Sequence, residues 1–336
     1  MKKGLTYDDM LLVPQYSDIR SRLEINLKTD FGKSILMNLP IISSPMDTVT
    51  ETDMAYGLGK LGGLSIIHRY NSIEEQSAMV ASISKEIQVG AAVGIIGDYI
   101  ERAGSVALAG AEVICIDVAH GHHILVKKAL TTLRKELGDS IHIMAGNVAT
   151  LEGYNDLADW GADSIRCNIG GGSICTTRIQ TGHGVPGLET IFQCAKSDRN
   201  AKIIADGGLK NSGDIVKALA AGADAVMLGS LLAGTDCSPG TIFKTRHGEL
   251  RKTYRGMASA AAQKDWRGKV ASCEGISSSV IYRGKLVDII KELERGIRSG
   301  LSYSGARTVR ELQAKAEWLQ QSNAGVIESS AHIRLR

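Results

Sequence analysis

The sequence predicts an α/β fold, a closed (β/α)8 barrel of the TIM type with a mobile flap after its eighth strand. Three observations predict it. Eight short apolar, β-branched runs recur, at 39–43, 63–67, 89–93, 112–117, 141–145, 163–167, 202–206 and 224–229. Helix-forming, often alanine-rich stretches lie between them, at 72–85, 97–109, 123–137, 151–160, 186–196 and 211–221. The unusual polar and glycine residues cluster just after the runs, where barrels of this kind keep their active sites. Runs that are apolar throughout, rather than alternating, suit strands buried on both faces of a parallel sheet. An open doubly wound sheet is the alternative arrangement of the same elements.

Taken in order, the run LPIIS ends in Ser43-Ser44-Pro45-Met46-Asp47, and EVICID ends in Asp117-Val118-Ala119-His120-Gly121-His122. IHIMA leads into Gly146-Asn147, and DSIRC into the loop Gly170-Gly171-Gly172-Ser173-Ile174-Cys175-Thr176-Thr177-Arg178. Three consecutive glycines let the backbone take positive φ and approach a ligand or ion, with amides and carbonyls turned inward. A thiol placed there is a nucleophile if its surroundings favour thiolate. A flexible turn with an incidental cysteine is the other reading. The last two strands end in Asp206-Gly207-Gly208 and Gly229-Ser230, where barrels bind phosphate through backbone amides. Residues 236–284 then break the rhythm, as a flap over the barrel mouth does. Helices follow at 285–299 and 307–321, and 324–336 reads as irregular. The whole of 1–336 reads as one barrel domain.

Composition narrows the function. A net charge of +3 with no dense Lys/Arg cluster speaks against a nucleic-acid partner. No apolar run reaches membrane-spanning length, and Met1-Lys2-Lys3-Gly4-Leu5 lacks a signal-peptide core. Six scattered cysteines without a CxxC pair fit neither a disulfide scaffold nor structural zinc. A reducing, cytoplasmic setting is expected. Buried packing thiols explain Cys115, Cys167 and Cys194. His120, His122 and His123 are loop histidines near a cofactor site, with metal ligation as the lesser reading.

The signatures LTYDDMLLVPQYS, SSPMDTVTE, DVAHGH, GNVAT, GGGSICTTR, IADGG, VMLGS, YRGMAS and EGISSSVIYRG occur in that order. Together they resemble the inosine-monophosphate dehydrogenase and guanosine-monophosphate reductase family, from the first residues to about 310. The resemblance implies a purine nucleotide monophosphate at the barrel mouth and Cys175 as the nucleophile that attacks purine C2. It implies that Ser173, Gly208, Gly229, Ser230 and Tyr254 hold the phosphate and that Asp206 accepts from the ribose hydroxyls. Ser44 and Met46 would line the nucleotide site, and backbone groups of Met257 and Ala258 would read the base. Asp117 and Asn147 would face the nicotinamide cofactor. Carbonyls of Gly170, Gly172 and Cys175 resemble the family's monovalent cation site, which takes potassium. A homotetramer is implied as well. Thr177, two residues past the cysteine, and Glu274, from the flap, form a pair able to relay a proton. A solvated flap carboxylate is the plainer reading of Glu274.

Two features bear on the reaction. Family dehydrogenases activate water with an Arg-Tyr pair on a long flap, and none occurs in 236–284 here. They also insert a paired regulatory domain after the second or third strand, for which 70–117 leaves no room. Both favour a GMP reductase using NADPH. The alternative is an IMP dehydrogenase without its regulatory domain, using NAD, and the opening LTYDDMLLVPQYS, the run SSPMDTVTE and the tail 327–332 look more like that enzyme. Gly171 stands where the family often has proline. A silent nucleotide-binding barrel would have no use for Cys175, Thr177 and Glu274 together, and a phosphate-sugar barrel enzyme would leave Cys175 idle.

Overall fold

The computed structural model describes residues 3–329. Its centre is a closed barrel of eight parallel strands: β1 (Ile41–Ser43), β2 (Leu64–Ile67), β3 (Gly90–Val93), β4 (Val113–Asp117), β5 (His142–Val148), β6 (Ser164–Cys167), β7 (Lys202–Asp206) and β8 (Ala225–Leu228). Each falls on an expected run. The ring closes where Ile41 of β1 pairs with Val226 of β8.

The helices α1 (Thr52–Lys60), α2 (Ile73–Ile83), α3 (Tyr99–Leu108), α4 (Ile124–Leu137), α5 (Leu151–Asp159), α6 (Gly187–Cys194), α7 (Ser212–Ala220) and α8 (Leu286–Tyr303) surround it. Local chemistry starts several of them. At α2 the Ser72 hydroxyl accepts from the Glu75 N–H at 3.1 Å, and the Glu75 carboxylate accepts from the Ser72 N–H at 2.9 Å. Such a reciprocal cap stabilises a helix start by about 1 kcal/mol.

Strand side chains alternate between two cores. Ile42, Leu64, Ile66, Ala92, Val113, Cys115, Met144, Ile204 and Met227 fill the barrel interior. The opposite faces pack under the helices in a larger cluster. Phe31, Ile35 and Met37 join the interior group from the N-terminal segment, where Thr29–Asp30 and Leu36–Met37 form a small hairpin. With the interior filled from that side, the cavity lies at the other end, where the strands finish.

Several expectations need correction. Residues 307–321 are not one helix. A helix covers Val309–Lys315, and Trp318–Gln320 then pairs antiparallel with Met10–Leu12. Residues 324–336 were expected to be irregular, yet Asn323–Glu328 is helical. Residues 330–336, with the end of the dehydrogenase-like tail, lie outside the described residues, as do Met1 and Lys2. Helix α1 was not anticipated. The flap region has regular structure that its sequence did not reveal. Phe243–Lys244, Leu250–Arg255 and Ser277–Ile281 form a three-stranded antiparallel sheet, and a helix spans Ala260–Arg267. Among the described residues no helix is long and apolar enough to cross a membrane.

Candidate active site

Every residue singled out as catalytic, substrate-binding, cofactor-binding or cation-binding lines one cavity at the strand C-termini. The glycine loop after β6 forms one wall. Gly170 has φ +79°, the left-handed region that glycine takes without strain. A Cβ on Gly171 would meet the amide end of the Asn168 side chain, which would have to shift to admit any larger residue here. Asn168 is held in turn by donating to the Asp206 carbonyl at 2.8 Å.

Cys175 is half-buried, with Sγ 3.1 Å from Thr177 Oγ1. Thr177 Oγ1 donates to Glu274 Oε2 at 2.8 Å. Glu274 reaches this position because the flap pairs with the cysteine loop. The Thr176 N–H donates to the Glu274 carbonyl at 2.9 Å, and the Ile276 N–H to the Ile174 carbonyl at 3.1 Å. Thiol, hydroxyl and carboxylate therefore form a continuous hydrogen-bonded chain, along which a proton can pass from sulfur to carboxylate or back.

The tips of β7 and β8 meet the flap strand Leu250–Arg255. Tyr254 is buried, and its hydroxyl bonds Ser173 and Ser230. Burial pushes its pKa up, opposed by those two hydrogen bonds. A Cβ at Gly229 would stand 2.8 Å from Tyr254 Oη, and one at Gly208, which has φ +76°, would stand 2.9 Å from the Gly171 carbonyl. Both glycines thus leave space among hydroxyls and backbone, as an anion cradle needs.

Across the barrel mouth, at the ends of β4 and β5, lies a charged network. The guanidinium of buried Arg166 sits between two aspartates, Nη1 at 2.6 Å from Asp117 Oδ1 and Nη2 at 2.8 Å from Asp206 Oδ2. Burial alone would lower its pKa, but the charges of Asp206 and Asp117 outweigh this and hold it well above the usual arginine value. Asn147 Nδ2 donates to the same Asp206 oxygen at 2.7 Å. The thiol of Cys115, behind this network, is pushed by burial up to about 12, consistent with a packing residue. Sequence reasoning missed Arg166. Its signal was an arginine inside the otherwise apolar run 163–167.

Tyr70 and Arg69, from the loop after β2, also line the cavity and were missed. The Tyr70 hydroxyl donates to the Met257 carbonyl at 2.9 Å. The Ala258 carbonyl accepts from the Glu274 N–H at 3.2 Å. These carbonyls, expected to read a base, are thus engaged within the protein. Arg255 Nη2 lies 2.6 Å from Asp47 Oδ2 and ties the flap to the loop after β1.

Two of the loop histidines make structural contacts. His122 Nε2 lies 2.8 Å from Asp156 Oδ2, and His123 Nδ1 caps α4 by accepting from the Leu125 N–H at 3.1 Å. Burial lowers the pKa of His120, with neighbouring histidines adding to the shift. Among the described residues no group of three or more His, Cys, Asp or Glu is arranged to hold a metal ion.

Comparisons with known proteins agree with this geometry. The model of the IMP dehydrogenase / GMP reductase domain matches residues 4–332. The chain is 34% identical to an inosine-5'-monophosphate dehydrogenase from Nitrosopumilus maritimus, over 98% of each chain. It is 37% identical to one from Cryptosporidium parvum, over 98% of this chain and 95% of the relative. It is 30% identical to a GMP reductase from Leishmania major, over 99% and 97%. The alignment to the first runs over 472 positions, so that relative carries many residues absent from this chain. A crystal structure of a Cys→Ala GMP reductase from Trypanosoma brucei in complex with guanosine 5'-monophosphate superposes with TM-score 0.95. It is 30% identical and the match covers 99% of this chain and 98% of that one. Relatives at similar identity carry both names.

Proposed function

The chain belongs to the IMP dehydrogenase / GMP reductase family, and from that premise we propose that it is a GMP reductase. It would convert GMP to IMP and ammonia with NADPH as reductant. The observation that carries this reading is the chain Cys175–Thr177–Glu274, whose carboxylate comes from a short flap without a water-activating Arg-Tyr pair.

The phosphate lies among Ser173, Gly208, Gly229, Ser230 and Tyr254, and Asp206 takes the ribose hydroxyls. Asp206 keeps Oδ1 for this, because Arg166 and Asn147 both bond its Oδ2. Ser44 and Met46 flank the base. The Cys175 thiolate forms a bond to purine C2 while the thiol proton moves through Thr177 to Glu274. The same pair returns a proton to the amino group, which leaves as ammonia and gives a covalent thioimidate. When bound, NADPH supplies a hydride to C2. The C2–S bond then breaks and frees IMP and the thiolate. One C–N bond is thus replaced by one C–H bond.

Asp117 and Asn147 suit a nicotinamide site by position. They stand at the ends of β4 and β5, across the ring from the cradle at β8, with the cysteine loop after β6 on the path between. For potassium, Gly170, Gly172 and Cys175 offer an all-oxygen carbonyl set of the kind hard cations prefer. The Gly172 carbonyl also accepts from the Cys175 N–H at 3.1 Å, so a bound cation would act on the turn that carries the thiol. The homotetramer belongs to the proposal and is read by light scattering.

The test is absorbance at the nicotinamide band, with GMP plus NADPH in one cell and IMP plus NAD in the other. NADPH oxidation with ammonia release supports the reductase. Rapid XMP formation from IMP would instead make this a dehydrogenase without a regulatory domain, the reading that the names of the N. maritimus and C. parvum relatives favour.

A further inference from the structure

The flap holds the cysteine loop from Ile174 onward, through the Thr176 N–H and the Ile174 carbonyl. The glycines before it have little support of their own. Among the described residues, one backbone hydrogen bond involves 170–173, from the Cys175 N–H to the Gly172 carbonyl at 3.1 Å. Three consecutive glycines also lose more backbone freedom on ordering than other residues would. Yet Cys175 Sγ must stay 3.1 Å from Thr177 Oγ1 for the proton chain to be continuous. A misplacement of about 1 Å at a reacting group can cost a hundredfold in rate.

Asn168, the residue after β6, braces the unsupported half. It is buried and held from three sides. Its N–H donates to the Val148 carbonyl at 2.9 Å, its carbonyl accepts from Asn147 Nδ2 at 3.1 Å, and its Nδ2 donates to the Asp206 carbonyl at 2.8 Å. The amide so fixed lies against Gly171. A Cβ on Gly171 would stand 2.4 Å from Nδ2, 2.6 Å from Oδ1 and 2.9 Å from Cγ. The Gly171 carbonyl in turn lies 2.9 Å from the place of a Cβ on Gly208, so residue 171 rests on both Asn168 and the tip of β7.

Gly171, unlike Gly170, does not take a left-handed φ. The backbone therefore does not demand a glycine at 171; the Asn168 amide does. Asn168 Oδ1 is buried without a hydrogen-bond partner, a cost to stability that argues for a positional use of this side chain. Proline, frequent at 171 in the family, stiffens the chain by another route, fixing φ through its ring. We infer that Asn168 is a positioning residue for Cys175: its amide takes the place of a side chain at 171 and holds the glycine loop against β7, as a proline at 171 would by its ring. The inference rests on Cys175 as the reacting thiol.

The test is a double-variant cycle on the full-length protein, with two readouts. One is turnover of GMP with NADPH; the other is amide hydrogen exchange over 169–178, followed by mass spectrometry without substrate. Asn168→Gly should lower kcat at least about tenfold with KM for GMP within about threefold. It should also speed exchange at the Cys175 and Thr176 amides. Gly171→Pro alone should do the same, because its Cβ drives the Asn168 amide off the Asp206 carbonyl. In the double variant the ring has room, and both readouts should return to within about threefold of wild type. That recovery decides the matter even where a single variant folds poorly. Wild-type kcat in Asn168→Gly, or losses that add in the double variant, overturns the assignment, since a merely structural asparagine would not be rescued by proline. Coupled exchange in a protein that does not reduce GMP supports the positioning and removes only the reductase reading.

Discussion

Glu274→Gln tests the proton relay most directly. The exchange is nearly isosteric, so the flap pairing through the Glu274 carbonyl and the 2.8 Å approach to Thr177 Oγ1 stay sterically possible. What is lost is a carboxylate able to take the Cys175 proton through Thr177 and return it to the leaving nitrogen. General acid–base assistance is worth about a hundred- to ten-thousand-fold in rate. That corresponds to about 3–5 kcal/mol in the barrier, at 1.36 kcal/mol per tenfold. The assay is NADPH absorbance with saturating GMP, together with ammonia release. Because the phosphate and ribose contacts proposed above lie elsewhere in the cavity, the dissociation constant for GMP should change by no more than about threefold. Thr177→Val should give a loss of similar size, and the double variant little more than either alone, since the two act as one unit. A Glu274→Gln enzyme that keeps more than a tenth of wild-type kcat would refute the relay. So would fully additive losses.

Cys175→Ala should abolish turnover and leave GMP binding nearly intact, checked by calorimetry, and residual activity above a few per cent would remove the covalent step. Potassium should raise the rate when titrated against sodium or lithium at constant ionic strength, and a flat response would remove the cation. Gly229→Ala places a Cβ 2.8 Å from Tyr254 Oη. It should raise KM for GMP about tenfold or more, while an unchanged KM would move the phosphate elsewhere. His142, stacked on Phe31 at the filled end of the barrel, has its pKa lowered to about 4, chiefly by burial. A depressed histidine pKa means the native state favours the neutral ring. Its stability is therefore full above about pH 6.5 and falls as pH drops toward 4, by about 3 kcal/mol. Urea unfolding against pH should show that slope, and His142→Gln should flatten it; identical slopes would refute the assignment.

The amino-acid sequence by itself determined the barrel. Each parallel strand is mostly apolar on both faces, so every run was visible locally, and all but the first of the helices between them carried a readable composition. The ordered motifs also marked residues that line one cavity, because barrels expose the residues just past each strand end to the same mouth. The flap was legible only as a break in the pattern. Its sheet joins strands that alternate weakly, and it is anchored by Arg255 on Asp47, far away in sequence. The same limit hid the pairing of Met10–Leu12 with Trp318–Gln320, since a two-stranded contact between chain ends has no local periodicity. Arg166 read as one odd residue in a strand. Only the closed ring places Asp117 and Asp206 on its two sides and lets their charges offset the desolvation of its guanidinium. Tertiary structure likewise decided that Glu274 meets Thr177 across 97 positions of chain, because the contact depends on the flap folding back over the cysteine loop.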